Sequence, residues 1–279
     1  ELDPAAILAA LSEKMPFDVP TAAQTWSDPI EMLQTKLASI RHILDYARHT
    51  RVRRMLVTSS GAVYGPQPPE LSHIPETYSG APDPMNPASA YGQGKRLVEQ
   101  MCALTPEVPC VIARCFSFIG PHLPLNARFA AGNFLRDAIN GGPIVVRGDG
   151  RAIRSYLYAT DLVVWLLTIL LHGQTGRAYN VGSDKAVSIR AMAELVAEAA
   201  DPTIEITAPA ILGEAPPHRY VPLIERSRVE LRVDILTDLD IAVRHALEWL
   251  KSPSQDFELP ITGSSASISP VRSTQATYQ

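Results

Sequence analysis

Residues 54–60 read RMLVTSS and residues 91–95 read YGQGK. The first stretch is a short apolar run closed by hydroxyl residues and Gly61. An apolar run without alternation predicts a strand buried on both faces, the kind that parallel sheets contain. The second places a Tyr and a Lys four residues apart, about one helical turn, on one face of a helix. Upstream of the strand, residues 28–50 predict a long helix. Asp28 is its N-cap, Pro29 suits its first turn, and Ile30, Leu33, Leu37, Ile40, Ile43 and Leu44 fall near the helical period. Downstream, a proline-rich loop over 65–88 precedes a helix over 89–104, a strand over 108–114 and a helix from about 128 to 140. Strands alternating with helices predict an α/β fold with a parallel sheet.

The remainder is less regular. Strands are expected at 143–147, 178–182 and 203–207, and helices at 159–172, 188–200 and 237–250. Residues 5–14 predict one more helix near the start. From Ser252 onward the sequence is rich in Ser, Thr, Pro and Gln, which predicts a tail that does not pack.

Composition narrows the function classes. A net charge of -4 gives no broad affinity for nucleic acid or an anionic membrane. Arg51, Arg53 and Arg54 read as a solvated turn before a strand. Cys102, Cys110 and Cys115 are odd in number and lack C-x-x-C spacing, so they fit free thiols in a reducing cytosol better than disulfides or a zinc site. The longest apolar run, Leu162 to Leu171, is too short to span a bilayer. With no basic-apolar-small leader, the expected location is cytoplasmic.

The chemistry centres on Tyr91 and Lys95. An ammonium close to a phenol favours the phenolate and is expected to draw the Tyr91 pKa down from about 10. Such a Tyr takes a proton from a sugar hydroxyl and later returns it. The pair alone is weak, because this spacing arises by chance in roughly one chain in six of this kind. Ser60 adds context: a hydroxyl at the carboxyl end of a parallel strand points into the crevice where such sheets bind ligands. Taken alone, Ser60 before Gly61 reads as a turn-former.

Five stretches occur in order: TSSGAVYG at 58–65, NPASAYGQGK at 86–95, RCFSFIGP at 114–121, GDGRAIRSYLYATDLV at 148–163 and YNVGS at 179–183. Together they resemble the extended short-chain dehydrogenase/reductase family of NAD-dependent nucleotide-sugar epimerases and dehydratases. The resemblance runs from about residue 28 to 250. It implies a Rossmann-like doubly wound parallel sheet with a smaller C-terminal α/β substrate-binding region. Residues 1–125 would form a partial NAD-binding unit. Residues 126–251 would bind mainly the nucleotide sugar while returning some segments to the sheet, and 252–279 would be a disordered tail. Ser60, Tyr91 and Lys95 match the family's catalytic trio, and Thr58, Ser59, Tyr91 and Lys95 the cofactor contacts. Arg154 and Arg219 match arginines that grip the nucleotide diphosphate, for which a planar guanidinium suits bidentate binding. Asn133 resembles a residue at the phosphate end of the substrate, and Ser117 a sugar contact. The implied partners are NAD, a nucleotide-diphosphate sugar and a second copy of the chain. The two copies would pair through the helices at 28–50 and 89–104.

Departures from the family refine the reading. No glycine precedes Gly61. The expected first strands and G-x-x-G-x-x-G turn, whose helix start holds the cofactor pyrophosphate, are absent. About two strand–helix units, on the order of 60–70 residues, would complete the pattern. At the place of the next strand, Phe17-Asp18-Val19 is interrupted by Pro20. Family dehydratases carry Asp then Glu after the catalytic serine or threonine, and the decarboxylases keep the Glu. Here those positions are Gly61 and Ala62, which cannot transfer protons. Ser117 stands where Asn is usual and Ile119 where Tyr is usual. The expected activity is therefore epimerisation by transient oxidation at a sugar carbon, C4. A 4,6-dehydratase and a non-catalytic nucleotide-sugar-binding remnant are the alternatives.

Overall fold

A computed structural model describes residues 28–125, 129–210 and 216–252. The helix expected over 5–14, the interrupted strand at 17–19, the first boundary at 125/126 and the tail from 253 lie outside the described residues.

The first helix, α1 (Pro29–Thr50), starts where the sequence predicts. The Asp28 carboxylate accepts the Glu31 N–H at 2.9 Å, and Pro29 opens the first turn. Its buried residues Met32, Ile40, Leu44 and Ala47 recur on one face. The chain then enters β1 (Met55–Ser60), and a single 3-10 turn over Gly61–Tyr64 leads into the proline-rich loop. A second short turn at Pro87–Ser89 feeds α2 (Ala90–Ala103), followed by β2 (Cys110–Cys115).

β1 and β2 pair in parallel from Met55 opposite Cys110 to Ser60 opposite Cys115. On the other side of β2 lies β7 (Ala178–Val181), also parallel, so the sheet order is β1-β2-β7. Alternation along β2 explains the layering. Cys110 and Ile112 join the core under α1 and α2, with Ile40, Leu44, Val57 and Val98. Val111 and Ala113 face the opposite core, formed with α4 (Ala159–His172) and α6 (Glu225–Leu231) through Trp165, Ile169, Ile224 and Leu231. Helices on both faces of a parallel sheet make the α/β architecture that the sequence implies.

Between these elements lies a second region. α3 (Ala130–Ile139), α5 (Ile189–Ala200) and α7 (Leu239–Lys251) surround a core of Phe134, Leu135, Met192, Val196, Val243 and Leu247. The strands here have two residues each: β3 (Phe118–Ile119) with β6 (Leu157–Tyr158), β4 (Ile144–Val145) with β9 (Ile206–Thr207), and β5 (Ile153–Arg154) with β8 (Val187–Ser188). The expected strands at 143–147 and 203–207 shrink to β4 and β9. β3, β5, β6, β8 and α6 have no counterpart in the sequence reading. Two residues carry no period, and seven-residue α6 lacks a side-chain N-cap. Asp161 ties this region to the sheet unit: its buried carboxylate accepts the Leu236 and Thr237 N–H groups at 2.9 Å each.

Candidate active site

Ser60 ends β1 and is buried. Its hydroxyl oxygen accepts the Ala62 N–H at 3.2 Å, which starts the 3-10 turn and fixes the strand's exit. Across from it, Tyr91 and Lys95 occupy the first turns of α2. The two glycines of YGQGK set how closely that helix packs. A Cβ on Gly92 would meet the Ala62 carbonyl oxygen at 2.6 Å, and one on Gly94 would meet Leu33 and Lys36 of α1 at 3.0 and 3.1 Å. The absence of side chains at 92 and 94 thus lets α2 lie against both the exit of β1 and α1.

The Lys95 ammonium donates to the Thr58 carbonyl at 2.7 Å and lies 5.9 Å from the Tyr91 ring centre. The Ser60 hydroxyl lies beside the Tyr91 phenol. The phenol's pKa departs from the sequence expectation. Burial pushes the phenol up, the Ser60 hydroxyl beside it pulls it down, and the neighbouring Cys115 pushes it up again, leaving it above its ordinary value. Lys95 does not reverse this, because its ammonium is directed to the strand carbonyl. Burial also lowers the Lys95 pKa, against the opposite pull of Cys115 and Glu99.

Two residues beside Tyr91 were not anticipated. Lys36 of α1 holds its ammonium 5.0 Å from the Tyr91 ring centre. Half-burial, then the charge of Lys95, lowers its pKa to about 8. Cys115, at the end of β2, has its thiol pushed up to about 11 by burial while Lys95 draws it down. No local signal marks either, because each reaches Tyr91 from a separate element.

Thr58 is exposed, and its carbonyl is the group that Lys95 holds. Ser59 faces the other way: its buried hydroxyl donates to Glu99. Glu99 in turn accepts Arg114 through both carboxylate oxygens, at 3.1 and 2.7 Å. Arg114 donates to the Tyr64 hydroxyl at 2.9 Å, and Tyr64 donates to buried Asn180 at 2.8 Å. This chain of polar groups ties β1, α2, β2 and β7 together behind the site. A cavity of about 550 Å³ opens along α2, lined by Arg96, Leu97, Glu99, Gln100 and Arg114 among others. None of Ser60, Tyr91 and Lys95 lines it. Its charged groups already have partners, Arg96 holding the Val63 and Gly80 carbonyls.

Arg154 and Arg219 come together on adjoining segments. Ile153 bridges Arg219 in parallel, and Tyr220 N–H donates to the Ile153 carbonyl at 3.0 Å. Arg154 donates from Nη1 to the Ile153 and His218 carbonyls at 2.8 and 3.3 Å. The Arg219 Nε is buried and lacks a hydrogen-bond partner among the described residues. Asn133 is buried on α3, where its side-chain oxygen accepts Arg136 at 3.3 Å. Ser117 follows β2, and its carbonyl accepts the Leu157 N–H at 3.1 Å. No hydrogen bond joins Asn133 or Ser117 to the two arginines among the described residues.

Tyr220 links the two halves. It follows Arg219, yet its hydroxyl lies beside the Gly61 backbone, 2.6 Å from where a Cβ there would stand, and its ring stacks 4.5 Å from that of Phe116. Burial, opposed by the nearby Ser60 hydroxyl and Arg154, pushes its phenol above the ordinary range. The sequence reading passed over it, since a lone aromatic beside an arginine signals nothing by itself.

The sequence profile described as "NAD dependent epimerase/dehydratase family" matches residues 16–182. UDP-glucuronic acid decarboxylase 1 of Xenopus tropicalis is 28% identical over 229 residues, 80% of this chain and 53% of that protein. The chain thus spans about half the length of the curated relatives it matches. Among solved structures, UDP-glucose 4-epimerase of Thermotoga maritima, with UDP-glucose, superposes with a TM-score of 0.70 at 18% identity, over 82% of this chain and 74% of that one. RMD of Pseudomonas aeruginosa, complexed with NADPH, superposes with a TM-score of 0.69 at 25% identity, over 82% and 77%. The Thermotoga likeness is one of fold. Among the described residues no helix is long and apolar enough to cross a membrane.

Proposed function

The chain belongs to the NAD dependent epimerase/dehydratase family, and on that premise we propose that its protein is a nucleotide-sugar epimerase acting by transient oxidation at C4. The observation that carries the reading is the meeting of Ser60, Tyr91 and Lys95 at the carboxyl end of β1, beside two positions without a proton-transferring side chain, Gly61 and Ala62. NAD, when bound, supplies the hydride acceptor and a positively charged nicotinamide.

The chain's own groups do the rest. Tyr91 takes the proton of the sugar hydroxyl, and Ser60 donates a hydrogen bond to the same oxygen. Lys95 uses one of its three ammonium hydrogens on Thr58, which fixes it and leaves two for ribose hydroxyls. This fits the nicotinamide–ribose end of the cofactor, with exposed Thr58 alongside. Ser59, engaged by Glu99, holds β1 in place rather than touching the cofactor. Arg154 and Arg219 hold the diphosphate, with Asn133 and Ser117 toward the phosphate and sugar ends. Burial keeps Tyr91 protonated in the free protein, so turnover should rise with pH as the phenol ionises.

A decarboxylase reading has the sequence relatives in its favour. It lacks the acidic residue after Ser60 that the decarboxylases keep. The same proposal pairs two copies of the chain through α1 and α2. It places the protein in the cytoplasm, where its three cysteines are free thiols. A panel of UDP- and dTDP-hexoses deuterated at C4 separates the reactions. Epimerisation returns the C4 epimer with its deuterium retained. A 4-keto-6-deoxy product, or a pentose released from a uronic acid substrate with carbon dioxide, would replace this reading with dehydration or decarboxylation.

A further inference from the structure

Two ammonium groups lie over the Tyr91 ring. That of Lys95, on the same helix, stands 5.9 Å from the ring centre, and that of Lys36, from α1, stands 5.0 Å from it. Both fall within the roughly 6 Å over which a cation is drawn to an aromatic face. Lys95 is also committed elsewhere, donating to the Thr58 carbonyl at 2.7 Å. Among the described residues, Lys36 has neither a hydrogen bond nor an ion pair.

Gly94 opens the way for it. A Cβ at 94 would meet the Lys36 side chain, Cδ at 3.1 Å and Cε at 3.9 Å. The methylene stem of Lys36 therefore crosses from α1 to α2 over a position without a side chain. Residues three apart share a helix face, so the stem that passes Gly94 arrives beside Tyr91. A half-buried ammonium with no partner, next to a second ammonium, costs stability in the free protein. The counter-charge that suits it is one that appears only in turnover, the phenolate of Tyr91.

We propose that Lys36 is a positioning residue: its ammonium, brought from α1 across Gly94, holds the Tyr91 ring and steadies the negative charge that forms there when the phenol acts as base. The effect on turnover rests on the epimerase reading; the charge coupling between Lys36 and Tyr91 does not. At pH 7 Lys36 is protonated, so the phenolate forms beside a cation that favours it. Lys36 loses its proton at about pH 8. From there the two groups share the loss of one proton, and the fraction with phenolate beside ammonium stops rising. The other groups facing the pair are Lys95 and, beyond it, Glu99 on α2, Cys115 at the end of β2, and Tyr220 after Arg219.

The test compares wild type with Lys36→Met and Lys36→Arg. Methionine keeps an unbranched stem and deletes the charge, while arginine makes the charge permanent. NMR of 13Cζ-labelled tyrosine reports the Tyr91 ionisation, its signal assigned by its loss in Tyr91→Phe. In Lys36→Arg that ionisation should lie about one pH unit below its position in Lys36→Met. Near pH 7, kcat of epimerisation should fall about tenfold in Lys36→Met and stay within about threefold of wild type in Lys36→Arg, with KM nearly unchanged in both. Wild-type kcat should level off near pH 8, whereas that of Lys36→Met should keep rising. Equal Tyr91 ionisation in the two variants overturns the proposal. So does an equal loss of kcat in both, which would make the stem rather than the charge matter. A raised KM with kcat unchanged overturns it as well, making Lys36 a ligand contact. A wild type without epimerase activity would overturn the functional reading, while the two ionisations would still decide the role of Lys36.

Discussion

Ser60, Tyr91 and Lys95 stand on a six-residue strand and a fourteen-residue helix. Arg154 stands on a two-residue strand, and Arg219 on the segment that bridges to it. The first group is locked from behind by the Ser59–Glu99–Arg114–Tyr64–Asn180 chain and by helix packing over Gly92 and Gly94. The second is held mainly by main-chain hydrogen bonds. Proton transfer needs heavy atoms placed to within hydrogen-bond reach, and regular elements supply that rigidity. Gripping a diphosphate is more tolerant, because a guanidinium reaches its partner over several angstroms of flexible stem. Tyr220 crosses between the two: its N–H donates to the Ile153 carbonyl, and its ring stacks on Phe116.

That contrast breaks down if changes in the two halves have the same kind of effect. The largest expected effect is that of Tyr91→Phe, which deletes the proposed base. It should lower kcat by roughly 10³-fold or more, about 4 kcal/mol, while nucleotide-sugar affinity measured by calorimetry changes little. Next comes packing. Gly92→Ala drives a methyl into the Ala62 carbonyl and should cost about 2–3 kcal/mol in a urea melt. Gly148, in the GDGR stretch, has no atom within 4 Å of an added Cβ, so Gly148→Ala should shift stability by less than about 0.5 kcal/mol. Equal losses at the two glycines would contradict the difference in rigidity. Arg154→Met should raise the nucleotide-sugar KM by about tenfold, roughly 1.4 kcal/mol, with kcat nearly constant. A fall in kcat alone would place Arg154 with the reacting atoms instead.

A smaller effect than that of Arg154 belongs to Lys36. Its pKa falls from 10.5 unfolded to about 8 folded. The unfolded state therefore binds more protons between pH 8 and 10.5, so stability gained from this site rises with pH across that window. Below pH 8 the charged ammonium weakens the fold throughout. Lys36→Met should therefore stabilise the protein at pH 7, by about 1 kcal/mol after allowing for solvent screening of a half-exposed group. The gain should vanish above pH 10.5. Thermal melts at pH 7 and pH 10.5 check both the sign and the window.

The regular half was legible in the sequence for a plain reason. An apolar run such as 54–60 and the 3.6-residue recurrence in 28–50 report burial directly, and Asp28-Pro29 announces a helix start. In the second half, the two-residue strands β3, β5, β6 and β8 are stabilised by partners distant in sequence, so no local pattern precedes them. The site divides along the same line. Ser60, Tyr91 and Lys95 followed from spacing and resemblance, but spacing gives no direction to an ammonium. Lys95 turns to the Thr58 carbonyl, and burial rather than its charge sets the Tyr91 pKa. Lys36, Cys115 and Tyr220 reach the phenols from three other elements, which only the assembled fold brings near.

The central claim is that this chain's Ser60–Tyr91–Lys95 cluster serves a bound nicotinamide cofactor, although no glycine precedes Gly61. Calorimetric titration of the folded chain with NAD, beside Lys95→Ala, tests it most directly. The account predicts saturable binding that weakens at least about tenfold when Lys95 loses its ammonium. Absence of binding heat from a folded protein that still titrates a nucleotide sugar would contradict it, leaving a site that holds sugars without oxidising them.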